Sequence, residues 1–293
     1  SRGLGDVYKR QPVNSVLYIV GTPIGNLRDI SLRALNILKH VHLIACEDTR
    51  QTKKIMSRYE FSNKLISFNK HNSLRKTPKI IETLKSEKSV ALVSDAGLPS
   101  ICDPGEDLIK EARSNGINII CIPGPCAALT ALVSSGLPAS KFTFEGFLPK
   151  KQSERKKVLK DICDYEKTTI LFESPQRLKR LLIELKECFG GDREIQVSRE
   201  ITKKFEENVR KDIDGVIDHF KDKEVLGEIT VVIKGINKKN LETSFDEIEL
   251  KRELYGLIDA GLNLSEASKY LAKKYNLKKR FFYNMNIKEL NLN

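Results

Sequence analysis

The chain has 293 residues, 40% of them hydrophobic and 31% charged, which excludes a disordered or fibrous protein, and its length favours two α/β subdomains plus an appendage over one core. Lys and Arg number 51 against 39 Asp and Glu, a formal charge of +12, so an anionic partner such as nucleic acid is favoured. Cys46, Cys102, Cys121, Cys126, Cys163 and Cys188 form no C-x-x-C pair; neither zinc nor a disulfide framework is expected, and the thiols read as small buried hydrophobes in a reducing cytoplasm.

In chain order, residues 1–12 show no periodicity and no apolar signal core, and read as a non-native leader. From Val16 onward short apolar runs, turns and helical periods alternate, the signature of βα units with a mainly parallel sheet. Val16 to Val20 is the first strand; Leu32, Leu35, Leu38 and Val41 then mark one helix face, with Asp29 or Ser31 as its cap. His42 to Cys46 and Leu65 to Phe68 follow as strands. Thr77 is the expected N-cap of the next helix and Pro78 its first residue. Val90 to Val93 is a buried strand, Asp107 to Arg113 a helix ended by Gly116, and Ile117 to Ile122 another buried strand. The uncharged stretch between Arg113 and Lys141 is long enough to cross a membrane. Pro123, Gly124 and Pro125 break it, and Gly136 closes a short helix from Ala127 to Ser135, so no span is expected.

A second subdomain begins near residue 137, where Phe142, Phe144 and Phe147 alternate in a strand ahead of a basic helical stretch from Lys150 to Lys160. Thr169 to Phe172, Ile195 to Ser198 and Ile229 to Ile233 read as strands, separated by helical stretches from Leu178 to Leu185 and from Val209 to Phe220. INKKNLETSFDE is a linker, and the remainder reads as a small helical hairpin with Gly261 in its turn. The expected division is therefore 13–136, 137–236 and 237–293.

The loops at the carboxyl ends of the strands are rich in Gly, Pro, Asp and Arg, and in an open α/β sheet ligands bind at that edge. Four stand out: Gly21-Thr22-Pro23-Ile24-Gly25-Asn26, Glu47-Asp48-Thr49-Arg50, Ser94-Asp95-Ala96-Gly97 with Asp103-Pro104-Gly105, and Pro123-Gly124-Pro125. The first is not G-x-G-x-x-G, and Pro23 has no amide hydrogen for a phosphate, which disfavours a dinucleotide. Glycines do let main chain come close to a ligand, and carbonyl oxygens tolerate a cationic sulfonium.

LYIVGTPIGNLRDIS, Ala45-Cys46-Glu47-Asp48-Thr49-Arg50, LVSDAG, DPG and PGPCAALTAL, followed by FEGFLPK, LFESPQRL, SREITKKFEE and GEITVVIKG, resemble the ribosomal small-subunit methyltransferase I family within the tetrapyrrole methylase fold. The resemblance runs in order over residues 16 to 235. It implies an α/β fold of two subdomains, with a mainly parallel sheet in the first and a mixed sheet in the second. It also implies methyl transfer from S-adenosylmethionine, without a metal, to the ribose 2′-hydroxyl of a cytidine (cytidine 1402) in 16S ribosomal RNA of the small subunit, by a cytoplasmic homodimer away from membranes. One departure is visible: Leu98-Pro99 stands where the family often has Thr-Pro, which removes a hydroxyl from that loop.

By the same resemblance Gly21, Thr22, Pro23, Gly25, Ser94, Asp95, Ala96, Gly97, Pro123, Gly124, Pro125, Glu173, Ser174 and Glu228 are cofactor contacts, any of which could equally be structural. Asp48 at the binding edge could orient or deprotonate the ribose hydroxyl while Arg50 holds a phosphate; a mutual salt bridge or helix cap is the alternative, and Glu47 could fill the role of Asp48. His71 with Asn72 follows the third strand, as a base or as a loop hydrogen-bonder. Asn26, Arg199 and Thr202 are further candidates to face RNA. Lys150, Lys151, Arg155, Lys156, Lys157 and Lys160 form a candidate phosphate track or a solvated helix face. In the tail, Lys278, Lys279 and Arg280 precede Phe281, Phe282 and Tyr283, aromatics that could stack on unpaired bases or build the tail's own core. Two other readings keep different chemistry: a tetrapyrrole C-methyltransferase of the same fold, and a non-enzymatic nucleic-acid-binding protein.

Overall fold

The computed structural model describes residues 12–236, 247–275, 277 and 279–290. The leader (residues 1–11), most of the linker (237–246) and Lys278 lie outside the described residues.

Five strands, β1 (Val16–Val20), β2 (Leu43–Cys46), β3 (Leu65–Ser67), β4 (Val90–Val93) and β5 (Asn118–Ile122), form one parallel sheet in the order β3-β2-β4-β1-β5. The apolar run of β1 is unbroken because both faces are covered. Val16, Tyr18 and Val20 pack with Ala34, Ile37 and Leu38 of α1 (Leu32–His40). Leu17 and Ile19 pack on the other face, with Ile80 and Leu84 of α3 (Ser73–Lys85) and Leu108 of α4 (Glu106–Ser114). Ser31 caps α1, its side chain accepting from the Ala34 amide at 3.0 Å.

Two expectations for this half are corrected. β5 is the edge strand, so Asn118 and Cys121 face solvent and the buried reading fails there; of the cysteines only Cys46 is fully buried, while Cys102, Cys121 and Cys188 are exposed. Helix α3 starts at Ser73, with Pro78 inside it, because the turn at Asn69 has already bent the chain: the Asn72 and Ser73 amides donate to the Asn69 carbonyl at 3.1 and 2.9 Å. Thr77 is no cap; its hydroxyl donates back to the Ser73 carbonyl at 2.9 Å.

The second sheet runs β6-β7-β10-β8-β9, comprising β6 (Phe142–Phe147), β7 (Thr168–Glu173), β8 (Glu194–Arg199), β9 (Glu207–Asp212) and β10 (Ile229–Ile233). It is mixed: β6 is parallel to β7, and the other neighbours are antiparallel. Alternation splits its faces. Leu171, Ile229, Val231 and Ile233 enter the core beneath α6 (Gln152–Cys163), α7 (Pro175–Phe189) and α8 (Ile213–Phe220). Ile170 and Val232 point the other way and meet Ala128, Ala131 and Leu132 of α5 (Ala127–Ser135), the uncharged helix that bridges the two sheets. A register shift between Phe144 and Gly146 explains the three-residue step from Phe144 to Phe147, since a bulge returns both rings to Phe172 at 5.0 and 5.6 Å.

The stretch from Val209 was expected to be helical, yet Val209 to Asp212 belongs to β9, a hairpin partner of β8. An edge strand buries only one face, and here only Val209 is buried, so the apolar alternation is too sparse to read. The helix begins where Asp212 caps it, accepting from the Gly215 amide at 2.7 Å.

The described residues through Gly235 form one compact unit and those from Ile236 a second. The second unit has three helices, Glu247–Asp259, Leu264–Tyr275 and Lys279–Leu290, where a two-helix hairpin was expected. Phe282 and Met285 of the third helix complete a core with Leu250, Leu254, Ala267 and Leu271. Among the described residues no helix is long and apolar enough to cross a membrane.

Candidate functional site

The loop after β1 is held in place by main chain. The Gly21 amide donates to the Ile122 carbonyl at 3.2 Å; Thr22 and Gly97 exchange amide-to-carbonyl bonds of 2.8 and 3.1 Å; and the Thr22 hydroxyl donates to the Ser94 carbonyl at 3.2 Å. Gly97 has φ +79°, the left-handed conformation that this return of the chain demands. Gly21 and Gly124 lie back to back, and a Cβ on either would stand 2.7 Å from the Cα of the other. Their bareness thus serves approach of chain to chain, where approach to a ligand was expected. Gly25 is crowded by Thr202 and Lys203, and the Asn26 amide donates to the Thr202 hydroxyl at 3.0 Å, tying this loop to the β8–β9 connection.

These contacts frame a cavity of about 350 Å³ between the first sheet's carboxyl edge and the second sheet. Of the expected cofactor contacts Ala96, Gly97, Glu173, Ser174 and Glu228 line it; Gly21, Thr22, Pro23, Gly25, Ser94, Asp95, Pro123, Gly124 and Pro125 are not part of its lining. Its apolar wall is Ile24, Leu98, Phe147, Phe172 and Ile201, and Asp103 and Thr230 add polar groups. The sequence reading gave no role to Phe147, Phe172, Ile201 or Thr230. The wall segment carries backbone strain, with Ser100 and Cys102 at φ +69° and +68°, a cost that folds keep mainly at functional loops.

A second, more open cavity of about 450 Å³ is lined by Glu47, Asp48, Thr49, Arg50, Ser67, Asn69, Lys70 and His71. Lys70, which the sequence reading did not single out, donates from Nζ to the Cys102 carbonyl at 3.2 Å, so the two cavities meet across this contact. Asp48 caps α2 (Thr49–Arg58) and clamps Arg50: its Oδ1 accepts from the Arg50 amide at 2.8 Å, and the guanidinium reaches it at 3.0 and 2.6 Å. Asn72 is absorbed by its own turn, accepting from the Asn69 amide at 2.9 Å and donating to Ser67 Oγ at 3.3 Å.

The neighbouring carboxyls divide by environment. Hydrogen bonds from Arg50 hold Asp48 below the ordinary aspartate range, which makes it a weak base. Burial first, and then the charges of Asp103 and Asp95, push Glu47 above the ordinary glutamate value. Asp95 and Asp103 are likewise raised, chiefly by burial. Asp95 links two of its neighbours, since its main chain bonds the Glu47 carboxyl and its Oδ1 accepts from the Asp48 amide at 2.9 Å. Of the three residues nominated for chemistry, Glu47 is therefore suited to accept a proton, while Asp48 fixes an Arg50 side chain that is 85% exposed and open to an anion.

The expected phosphate track is only partly present. Lys150 and Lys151 are exposed, with Lys151 paired to Glu154 at 3.1 Å. Arg155 is removed from it: at 2% exposure it lies among the layers and bonds Glu173 at 3.1 Å and Glu184 at 2.6 Å, because its place on α6 turns inward with Leu159 and Ile162. Glu173 is held in turn by Arg177 at 2.6 Å. Arg199 is engaged by Glu207 at 3.1 Å and the Leu226 carbonyl at 3.3 Å. In the tail, Lys279 and Arg280 are exposed, Phe281 is half-buried and Phe282 is fully buried.

A parallel sheet joined through one helix to a mixed sheet, with a cavity at the carboxyl edge between them, defines a tetrapyrrole methylase fold. The family model for Tetrapyrrole (Corrin/Porphyrin) Methylases matches residues 16–216. Solved structures agree at the level of fold alone. A cobalt precorrin-4 methyltransferase superposes with TM-score 0.59 at 15% identity, covering 75% of this chain and 95% of its own; a diphthine synthase does so with TM-score 0.56 at 16% identity, covering 75% and 89%. Among curated relatives, the Bacillus subtilis (strain 168) protein named ribosomal RNA small subunit methyltransferase I is 42% identical over 271 residues, 92% of each chain. Its namesake from Thermotoga maritima is 46% identical over 219 residues, 75% of this chain and 98% of its own. The chain belongs to the ribosomal RNA small subunit methyltransferase I family.

Proposed function

We propose that the protein transfers the methyl group of S-adenosylmethionine to a ribose 2′-hydroxyl of a cytidine in 16S ribosomal RNA, acting on the small subunit in the cytoplasm as a homodimer. The observation that carries the reading is the pair of cavities meeting at the Lys70–Cys102 contact, one sized for a small molecule and the other lined by Glu47, Arg50 and His71.

The first cavity fits the cofactor. Its volume lies within the range of small-molecule sites, about 300–1,000 Å³. Phe147, Phe172, Ile24 and Ile201 offer an apolar surface to a flat base, and the carboxylate of Asp103 lies in its lining. Asp103, raised by burial and by the neighbouring Asp95 charge, gives this cavity a carboxyl whose charge a cationic ligand would relieve. When bound, S-adenosylmethionine supplies an electrophilic methyl group on a leaving group already cationic, so the protein's task is alignment and removal of one proton. Glu47 accepts that proton from the ribose hydroxyl. Arg50, held by Asp48, grips an adjoining phosphate, and Lys70 fixes the Cys102 carbonyl at the edge where the cavities meet.

The test supplies labelled cofactor with small ribosomal subunits or with a porphyrinogen, and maps ribose methylation on 16S RNA from cells lacking the protein. Label in the tetrapyrrole alone, or an unchanged ribose pattern in those cells, refutes the proposal. Calorimetry with S-adenosylmethionine that stays silent favours a non-enzymatic binder instead.

Replacing Glu47 by Gln is expected to lower kcat by about 10²–10⁴-fold, the usual worth of a general base. The wild-type rate should fall on acidification along a limb displaced above the ordinary glutamate value of 4.5, and E47Q should lack that limb. Stability moves the opposite way. A carboxyl raised on folding favours the folded state while protonated and loses that contribution as pH rises through its folded pKa. E47Q should therefore melt higher than wild type at pH 7, with the gap closing below 4.5. A lower melting temperature at pH 7 would contradict the assignment of burial as the cause.

A further inference from the structure

We propose that the C-terminal tail is an RNA-anchoring module whose contact surface is the solvent side of its last two helices; the proposal rests on reading the chain as an RNA methyltransferase. The tail is a compact unit of its own, with Leu250, Leu254, Ala267, Leu271, Phe282 and Met285 buried together. Helices Leu264–Tyr275 and Lys279–Leu290 are separated by three residues, the spacing of a helix-turn-helix.

The core uses one side of each helix and leaves the other chemically distinctive. The first of these two helices buries Ala267, Ser268 and Leu271 and exposes Lys269, Tyr270 and Lys273, with Glu266 as the acidic residue of its first turn. The second buries Phe282 and Met285 and exposes Lys279, Arg280, Tyr283 and Asn284. Tyr270 and Tyr283 are 55% and 42% exposed, so packing does not require these rings. Cations interleaved with exposed aromatics bind phosphate through charge and unpaired bases through stacking. Duplex DNA offers no base face to stack upon, which favours single-stranded or looped RNA.

A second observation separates this surface from the chemistry. The Thermotoga maritima relative is matched over almost its whole length by 219 residues, which leaves no room for a counterpart of the tail. The match to the Bacillus subtilis relative, by contrast, is long enough to enter the tail, so the tail is a segment that some family members carry and others lack. An added module of this kind raises the local concentration of substrate without altering the reacting groups.

The test uses the full chain with K273E and R280E combined, and separately Y283A, against transcribed small-subunit ribosomal RNA. Filter binding is measured from 50 to 200 mM salt and methyl transfer at saturating cofactor; far-ultraviolet dichroism confirms that the tail helices persist. The charge reversal should raise Kd and KM about tenfold or more at unchanged kcat, and the salt slope should fall by about 1.4–1.8 for two lost phosphate contacts. Y283A should weaken binding without changing the slope, and the K273R and R280K pair should behave as wild type. Unchanged KM and slope, a fall in kcat at constant KM, or tighter binding of duplex DNA than of RNA would each overturn the proposal. Wild-type transfer in the same assay tests the parent reading: no transfer sinks that reading, whereas transfer with an unaltered variant KM sinks the tail proposal alone.

Discussion

Replacing Glu173 by Ala is expected to cost about 3–5 kcal/mol of stability, the penalty of stranding a buried charge. Glu173 and Arg155 are each 2% exposed, so bulk solvent does not reach the place of a lost partner. The carboxylate bonds Arg155 through one oxygen at 3.1 Å and Arg177 through the other at 2.6 Å, and Oε1 also accepts from the Ser174 amide at 2.8 Å. Without Glu173 the buried Arg155 keeps only its bond to Glu184 at 2.6 Å, and among the described residues its Nη1 is already buried without a hydrogen-bond partner. Arg155→Ala should also destabilise, leaving Glu173 with Arg177 and Glu184 with Arg180 as their remaining cations. Denaturant titration checks both: the midpoint should drop with little change in slope. Replacing Arg155 by Met together with Glu173 by Leu should recover much of the loss, because apolar groups of similar volume often substitute for a buried pair. Lys150→Ala, at an exposed site of the same basic stretch, should leave stability within about 0.5 kcal/mol. If Arg155→Ala instead left the midpoint unmoved and weakened RNA binding, its placement inside the second subdomain would be wrong.

The second large effect belongs to Gly124. A methyl group there would lie 2.7 Å from the Gly21 Cα and 2.8 Å from its carbonyl carbon and oxygen. Those atoms are main chain at the ends of β5 and β1, so relief requires the strand ends to part. The Gly21–Ile122 bond and the Thr22–Gly97 bridge hold the edge of the first cavity and would be dragged with them. Overpacking of this kind costs about 1–3 kcal/mol. The functional loss should be larger, since about 1 Å of misplacement is worth roughly 10²-fold in rate. Gly124→Ala should therefore lower kcat/KM about a hundredfold, with a weakened calorimetric signal for S-adenosylmethionine. Gly116→Ala offers the contrast: it has nothing within 4 Å but φ +70°, so backbone strain alone should lower stability and leave the cofactor signal intact.

The sequence was most informative where one local pattern answers one structural need. Val16 to Val20 and Ile229 to Ile233 were legible to the residue because strands buried on both faces are near-continuous apolar runs, broken here only by Thr230. Gly136 closed α5 as expected because only a left-handed residue, here at φ +62°, ends a helix in that way cheaply. Edges were legible less well. β9 passed for helix because one buried Val209 carries no period, and β5 was read as buried although its outer side has no neighbouring strand. Pro78 was read as a helix start because proline favours the first turn, but the Asn69 turn had already begun the helix a turn earlier.

At the site, the motif loops were visible in sequence because glycine, proline and acidic residues cluster after each strand, and the resemblance they carry fixed the family. Which member of each loop does what was not visible. Asp48 and Glu47 are adjacent in sequence, and only their surroundings divide them: one carboxylate is clamped by Arg50, the other is pressed by burial and two like charges. Lys70 reaches Cys102, 32 positions away, by a contact that no local spacing encodes. Arg155 stands in a run of cations that reads as one surface, and the helical turn sends it inward while Lys156 and Lys157 stay out. Fold class and strand centres followed from the sequence alone, because hydrophobic periodicity and turn chemistry are local properties, and the family followed from the resemblance of the motif loops. Proton affinity, ion pairing and the partition between the two cavities depend on groups brought together from distant segments, and only the tertiary structure decides those.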